Sequence, residues 1–206
     1  MMSKKCSPKE QAIYDAVFAL FWEGTDLNSL TVSQITGKAG IGKGTAYEYF
    51  SDKEEMIAKA LFYNTSAFCQ RVYESAKEKK TFQEKIMCIL LSLEKEVGES
   101  KCIFRLVHTL TDNSSVGKRL RELMEHKEDD IIMVEDVMRL TILDEYKDVK
   151  ISGENMFYMV SSTISRILCY GMILNGSCHK GEYRKDVVRE MLCSSICKEI
   201  EEIMNG

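Results

Sequence analysis

Proline is nearly absent from this chain of 206 residues: the only one is Pro8. No run of β-branched residues alternates with period two between turn signals, so nothing argues for strands. Histidine is also scarce, with three scattered residues. Neither G-x-S-x-G, a phosphate loop nor H-E-x-x-H occurs, which leaves an enzyme reading without residues to rest on. Cysteine is present, but as Cys6, Cys69, Cys88, Cys102, Cys169, Cys178, Cys193 and Cys197 it never forms C-x-x-C. That spacing fits reduced thiols in a cytoplasmic protein better than a disulfide scaffold. No window approaches the ~18 consecutive apolar residues of a membrane span. Glu10 and Asp15 interrupt the one candidate leader segment, so neither a membrane nor a secretory route is expected. An excess of basic charge is missing too: the formal net charge is −4 and the pI about 5.6. Any attraction to an anionic partner must come from where a few lysines point.

Helical start signals are plentiful. Ser7, Pro8 and Glu10 form a capping box with proline at the first helical position. Thr31 and Gln34 repeat the box, followed by Val32, Ile35 and Ala39 at helical spacing. Gly40 then stands where a sharp inter-helix turn needs a residue that tolerates positive φ. A second short helix is expected over 43–50, and Ser51 with Glu54 reads as the box that starts a third. Two short helices joined by a glycine-containing turn form the unit whose second helix enters the DNA major groove. Further helices are expected over 52–79, from the Thr81–Glu84 box until a break at 98–100, over 102–111, as one long helix over 116–143, over 154–174 and over 184–204. The fold class expected is therefore all-α with about nine helices.

The pattern Ile35-x-x-x-Ala39-Gly40-Ile41-x-x-Gly44-Thr45-x-Tyr47-x-Tyr49-Phe50-x-x-Lys53-Glu54-Glu55 resembles the amino-terminal signature of TetR-type transcriptional regulators. The match covers about the first quarter of the chain. Two departures stand out. Gly42 replaces the usual serine cap of the recognition helix, and Thr36-Gly37 puts a glycine inside the preceding helix. The resemblance implies a helix-turn-helix DNA-binding head at 1–51 and a helical ligand-binding and dimerisation domain at 52–206. The expected DNA-binding residues are Thr31, Lys43, Gly44, Thr45, Tyr47, Tyr49 and Lys53. Lys43 can reach guanine acceptors, and Thr45 a base edge, a thymine methyl or a phosphate. Gly44 leaves the backbone free to approach the duplex. Tyr47 and Lys53 match phosphate contacts of the family. Ala46 and Phe50 are assigned to the head's own core.

In the distal part, Ser161, Ser165 and Cys169 form an i, i+4 ladder of small residues, and Val188, Leu192 and Ile196 line the last helix. These six are the expected contacts of a homodimer, with an intramolecular core as the competing reading of the same stripes. An inducer pocket, implied by the resemblance alone, is expected to include Phe104, His108 and Tyr158. Cys193 and Cys197 face one way along the last helix but lack a third ligand nearby, with Cys178 and His179 in the preceding loop. No metal and no cofactor is expected. The function implied is a ligand-responsive regulator, a repressor rather than an activator, that binds a palindromic double-stranded operator as a homodimer and leaves it when a small molecule binds. Two alternatives are kept: a thiol- or metal-responsive regulator of the same fold, and a helical interaction protein without specific DNA binding.

Overall fold

The computed structural model describes residues 6–99, 102–174 and 183–205, with side chains for all of these except 96–99 and 102–105. Among the described residues there are ten helices and no strand. They are α1 (Pro8–Trp22), α2 (Val32–Ala39), α3 (Lys43–Tyr47), α4 (Lys53–Lys77), α5 (Phe82–Glu99), α6 (Cys102–Thr111), α7 (Ser115–Glu125), α8 (Val134–Glu145), α9 (Gly153–Leu174) and α10 (Lys185–Asn205). The chain condenses into two compact units. One comprises Met1–Ala67 with Ser100–Ile131, the other Phe68–Glu99 with Ile132–Gly206. Helix α4 runs from the first unit into the second.

The first unit is built on α1. Ser7 caps it as expected: the Glu10 amide donates to Ser7 Oγ at 3.2 Å, and the Ser7 amide donates to Glu10 Oε2 at 2.8 Å. Its inward face carries Ile13, Tyr14, Ala16, Val17 and Phe21. Tyr14 stacks on Tyr63 at 5.3 Å and meets Phe50 edge-on at 5.8 Å. Burial pushes its phenol pKa well above the usual value. Helix α2 packs on α1, and α3 packs on both. Helices α6 and α7 pack on each other in the same unit. Their corner is closed at Gly117, where an added Cβ would lie 2.2 Å from the Thr109 carbonyl oxygen.

In the second unit α9 packs against α5, α8 and α10, and α10 packs against α5. The Thr81–Glu84 box starts α5 as expected, with the Glu84 amide donating to Thr81 Oγ1 at 3.2 Å. Ser152 caps α9 by accepting the Asn155 amide at 3.1 Å. By length and composition α9 could cross a membrane, with a mean hydropathy of 1.3. Here it is a packing helix, and Arg166 halfway along it pairs with Glu199 of α10.

The helix expected over 116–143 is two helices, which raises the count from nine to ten. The chain leaves α7 after Glu125 and starts α8 at Val134. Two local hydrogen bonds fix the interruption: Lys127 Nζ donates to the Ile131 carbonyl at 3.0 Å, and Asp136 Oδ2 accepts the Met133 amide at 3.0 Å. The break expected at 98–100 also differs, because α5 continues through Gly98 to Glu99.

A candidate nucleic-acid interface

Thr31 starts α2 through the expected box. Its Oγ1 accepts the Gln34 amide at 3.3 Å, and Gln34 Oε1 accepts the Thr31 amide at 2.9 Å. Thr36, buried inside α2, satisfies its hydroxyl by donating to the Val32 carbonyl at 2.8 Å. Gly40 ends the helix at φ 68°, ψ 26°, the left-handed conformation the sharp turn requires. Gly42 then occupies the N-cap of α3 with no side-chain bond to the helix. Helix α3 is shorter than expected. It ends at Tyr47, and the Tyr49 and Phe50 amides both donate to the Ala46 carbonyl at 3.1 Å in a closing turn. Ala46 and Phe50 are buried as core residues.

The cap of α4 is a correction. Asp52, not Ser51, accepts the amide three residues on, with Glu55 N–H donating to Asp52 Oδ1 at 2.8 Å. Ser51 binds the Glu55 carboxylate instead, through its amide at 2.6 Å and its hydroxyl at 2.7 Å. Burial raises the pKa of Glu55, but the hydrogen bonds from Lys59 and Ser51 outweigh it and bring the value to about 2.

The expected DNA-contacting residues occupy one continuous stretch with distinct exposures. Thr31, Lys43 and Gly44 are exposed, Tyr47 is 52% exposed, and Thr45, Tyr49 and Lys53 are half-buried. Among the described residues Lys43 has no ion-pair partner, whereas Lys38 is held by Glu23 at 2.6 Å and Lys59 by Glu55 at 2.7 Å. Lys53 is aimed rather than free. Its Nζ donates to the Asn28 carbonyl at 3.2 Å, tying the first turn of α4 to the loop before α2. Asn28 escaped sequence reasoning because only the fold brings it to Lys53.

Residues 13–60 match the family of bacterial regulatory proteins called the tetR family. The likeness to the TetR family is thus one of the head, residues 13–60. A stretch of 87 residues is 32% identical to the fatty acid metabolism regulator protein of Bacillus subtilis, covering 42% of this chain and 44% of that protein. Fewer than half of that relative's residues are therefore matched. The fold extends further. The transcriptional regulator FadR of Bacillus subtilis, solved with stearoyl-CoA, superposes with a TM-score of 0.61 at 18% identity, over 95% of this chain and 98% of that one. The fatty acid degradation regulator FadR of Bacillus halodurans gives 0.64 at 14% identity, over 94% and 96%. A putative fatty acid metabolism regulator of Clostridium perfringens gives 0.60 at 16%, over 91% and 97%. At these identities the likeness shows a shared fold over most of the chain and nothing further. All four of these proteins are named as regulators.

The distal expectations are placed as follows. Ser161 and Ser165 turn their hydroxyls back to the carbonyls of Phe157 and Ser161, at 2.7 and 2.8 Å. This leaves a smooth face that continues to exposed Cys169. Val188 and Leu192 are half-buried. Ile196 is fully buried inside its own unit with Cys193 and Ile200, so it has no surface to offer a partner. Met191, 67% exposed, stands on the outer face instead, and Phe157 on α9 is 74% exposed. His108 is exposed, with Nδ1 3.9 Å from Asp112, and Tyr158 is 53% exposed. Neither is a buried lining residue within its unit. The Phe104 side chain, like Cys178 and His179, lies outside the described residues. Cys193 and Cys197 are both buried. The hydrogen bond that Cys197 donates to Cys193, burial and the nearby carboxylates of Glu201 and Glu145 drive the Cys197 thiol pKa far up, while the same bond lowers that of Cys193. Among the described residues no group of three or more potential ligands is placed to hold a metal.

Proposed function

We propose that the chain is a homodimeric transcriptional repressor of the TetR type. Its α3 helices enter successive major grooves of a palindromic operator, and a fatty-acid-derived small molecule releases it. The observation that carries the reading is the head itself: a left-handed turn at Gly40 presents exposed Lys43, without an ion-pair partner among the described residues, beside Gly44 and Tyr47. The division at 51/52 is the functional one in this proposal, with DNA contacts before it, Lys53 just after it, and ligand binding and pairing beyond. The apolar outer face of α9 and α10, with Phe157, Met191 and the Ser161–Ser165–Cys169 ladder, suits a two-fold contact in which each patch meets its own copy. Within the first unit Phe104 and His108, and within the second Tyr158, are the residues proposed for ligand contact. The ligand class follows from relatives that are fatty acid metabolism regulators, one of them solved with stearoyl-CoA. Such a ligand releases DNA only through unequal affinity for the two states of the dimer. A gel shift on DNA selected from a random pool tests this. Micromolar stearoyl-CoA should release the DNA while free coenzyme A leaves it bound. Equal effects of the two would refute the ligand class.

A further inference from the structure

We infer that Arg119 is a positioning residue for DNA reading: from α7 it grips Asp52, the cap of the helix that directly follows the recognition segment. The inference rests on the DNA-binding reading above and adds a residue that the helix-turn-helix pattern does not name. Arg119 Nη2 donates to Asp52 Oδ2 at 2.6 Å across 67 positions of sequence. The other oxygen, Oδ1, accepts the Glu55 amide at 2.8 Å. One carboxylate thus starts α4 with one oxygen and anchors it to α7 with the other. The neighbouring residue is Lys53, already aimed by Asn28, and the residue before it, Ser51, is held by Glu55. The α3–α4 turn is therefore fixed along the helix by Glu55 and from the side by Arg119.

Beside this contact runs an open groove of about 210 Å³. It is lined by Glu55, Ala58 and Lys59 of α4 and by Arg119, Glu122, Leu123 and His126 of α7. Lys59 already pairs with Glu55, and the His126 ring is engaged with the Glu122 carbonyl at 2.9 Å. Among the described residues Arg119–Asp52 is thus the ion pair that crosses from α7 to α4. Both side chains are 38% exposed, and exposed pairs contribute little to global stability. Removing the guanidinium leaves the Asp52 cap in place, so the head stays folded and loses only its lateral anchor.

The test uses the full-length chain and DNA selected by the wild type from a random pool. Arg119→Ala should weaken binding about three- to tenfold, because both heads of a dimer lose the anchor. The melting temperature should stay that of the wild type. Arg119→Lys should recover most of the affinity. Asp52→Asn, whose amide oxygen can still cap α4, should reproduce the loss, and adding Arg119→Ala to it should cost nothing more. The salt dependence should keep its slope. A direct phosphate contact would instead flatten the slope by about 0.9 per head, and that result overturns the inference. So does unchanged affinity in Arg119→Ala, or additive losses in the double variant. A wild-type chain that selects no DNA would overturn the underlying DNA-binding reading and this inference with it. A wild type that selects a site which Arg119→Ala binds equally well would overturn this inference alone.

Discussion

Gly37 and Gly40 lie three residues apart and do opposite things. Gly37 is exposed inside α2, and an added Cβ would meet no atom within 4 Å. Alanine there should stabilise the head by about 0.5–1 kcal/mol, read from urea unfolding, because it removes backbone freedom from the unfolded chain at no steric cost. Gly40 sits at φ 68°, where any Cβ is strained. Gly40→Ala should therefore destabilise by about 1–2 kcal/mol. Glu55 gives the pH signature of the α3–α4 turn. Its folded pKa of about 2 lies below its ordinary 4.5, so its contribution is present above the ordinary value and fades as pH falls towards about 2. Glu55→Gln should consequently be less stable than wild type at pH 7, and the two should converge near pH 2–3. A stability gap that persists at low pH would assign Glu55 a role other than charge.

Among the elements, the α6–α7 corner leaves no room for a side chain at Gly117. Gly117→Ala would press a methyl against the Thr109 carbonyl and the Asp112 carboxylate, at 2.2 and 2.4 Å. We expect a loss of about 1–3 kcal/mol or more, visible as a lowered melting temperature. That corner also marks where legibility ends. The boxes at Ser7, Thr31 and Thr81 could be read because their hydrogen bonds span three residues, and Gly40 because only glycine suits the turn. Within Ser51-Asp52-Lys53-Glu54-Glu55 two caps fit the same rule, and sequence selects the wrong one. The interruption between α7 and α8 carries no proline or glycine, so nothing local announces it. On α10 two adjoining stripes are apolar, and only packing shows that Ile196 faces inward while Met191 faces out. Arg119 could not be found at all, since its partner lies 67 residues away.

At the scale of the whole molecule, pairing and DNA binding are linked. A dimer built on the α9–α10 face should fall apart when Met191 becomes glutamate, with a dimer Kd at least about tenfold weaker in sedimentation and operator affinity falling in parallel. With Lys43 and Lys53 as the cationic contacts in each of two heads, the log–log salt slope should be about −4. A slope near −10 would require cations that this surface does not present. The central claim, that the Gly40-hinged head reads DNA through α3, is tested most directly by selecting bound sequences from a random pool. The wild type should enrich a palindrome whose half-sites lie about one helical turn apart, or a multiple of that. A Lys43→Ala/Tyr47→Ala variant that keeps the wild-type melting temperature should enrich nothing. Enrichment of the same palindrome by that variant, or of none by the wild type, would contradict the account.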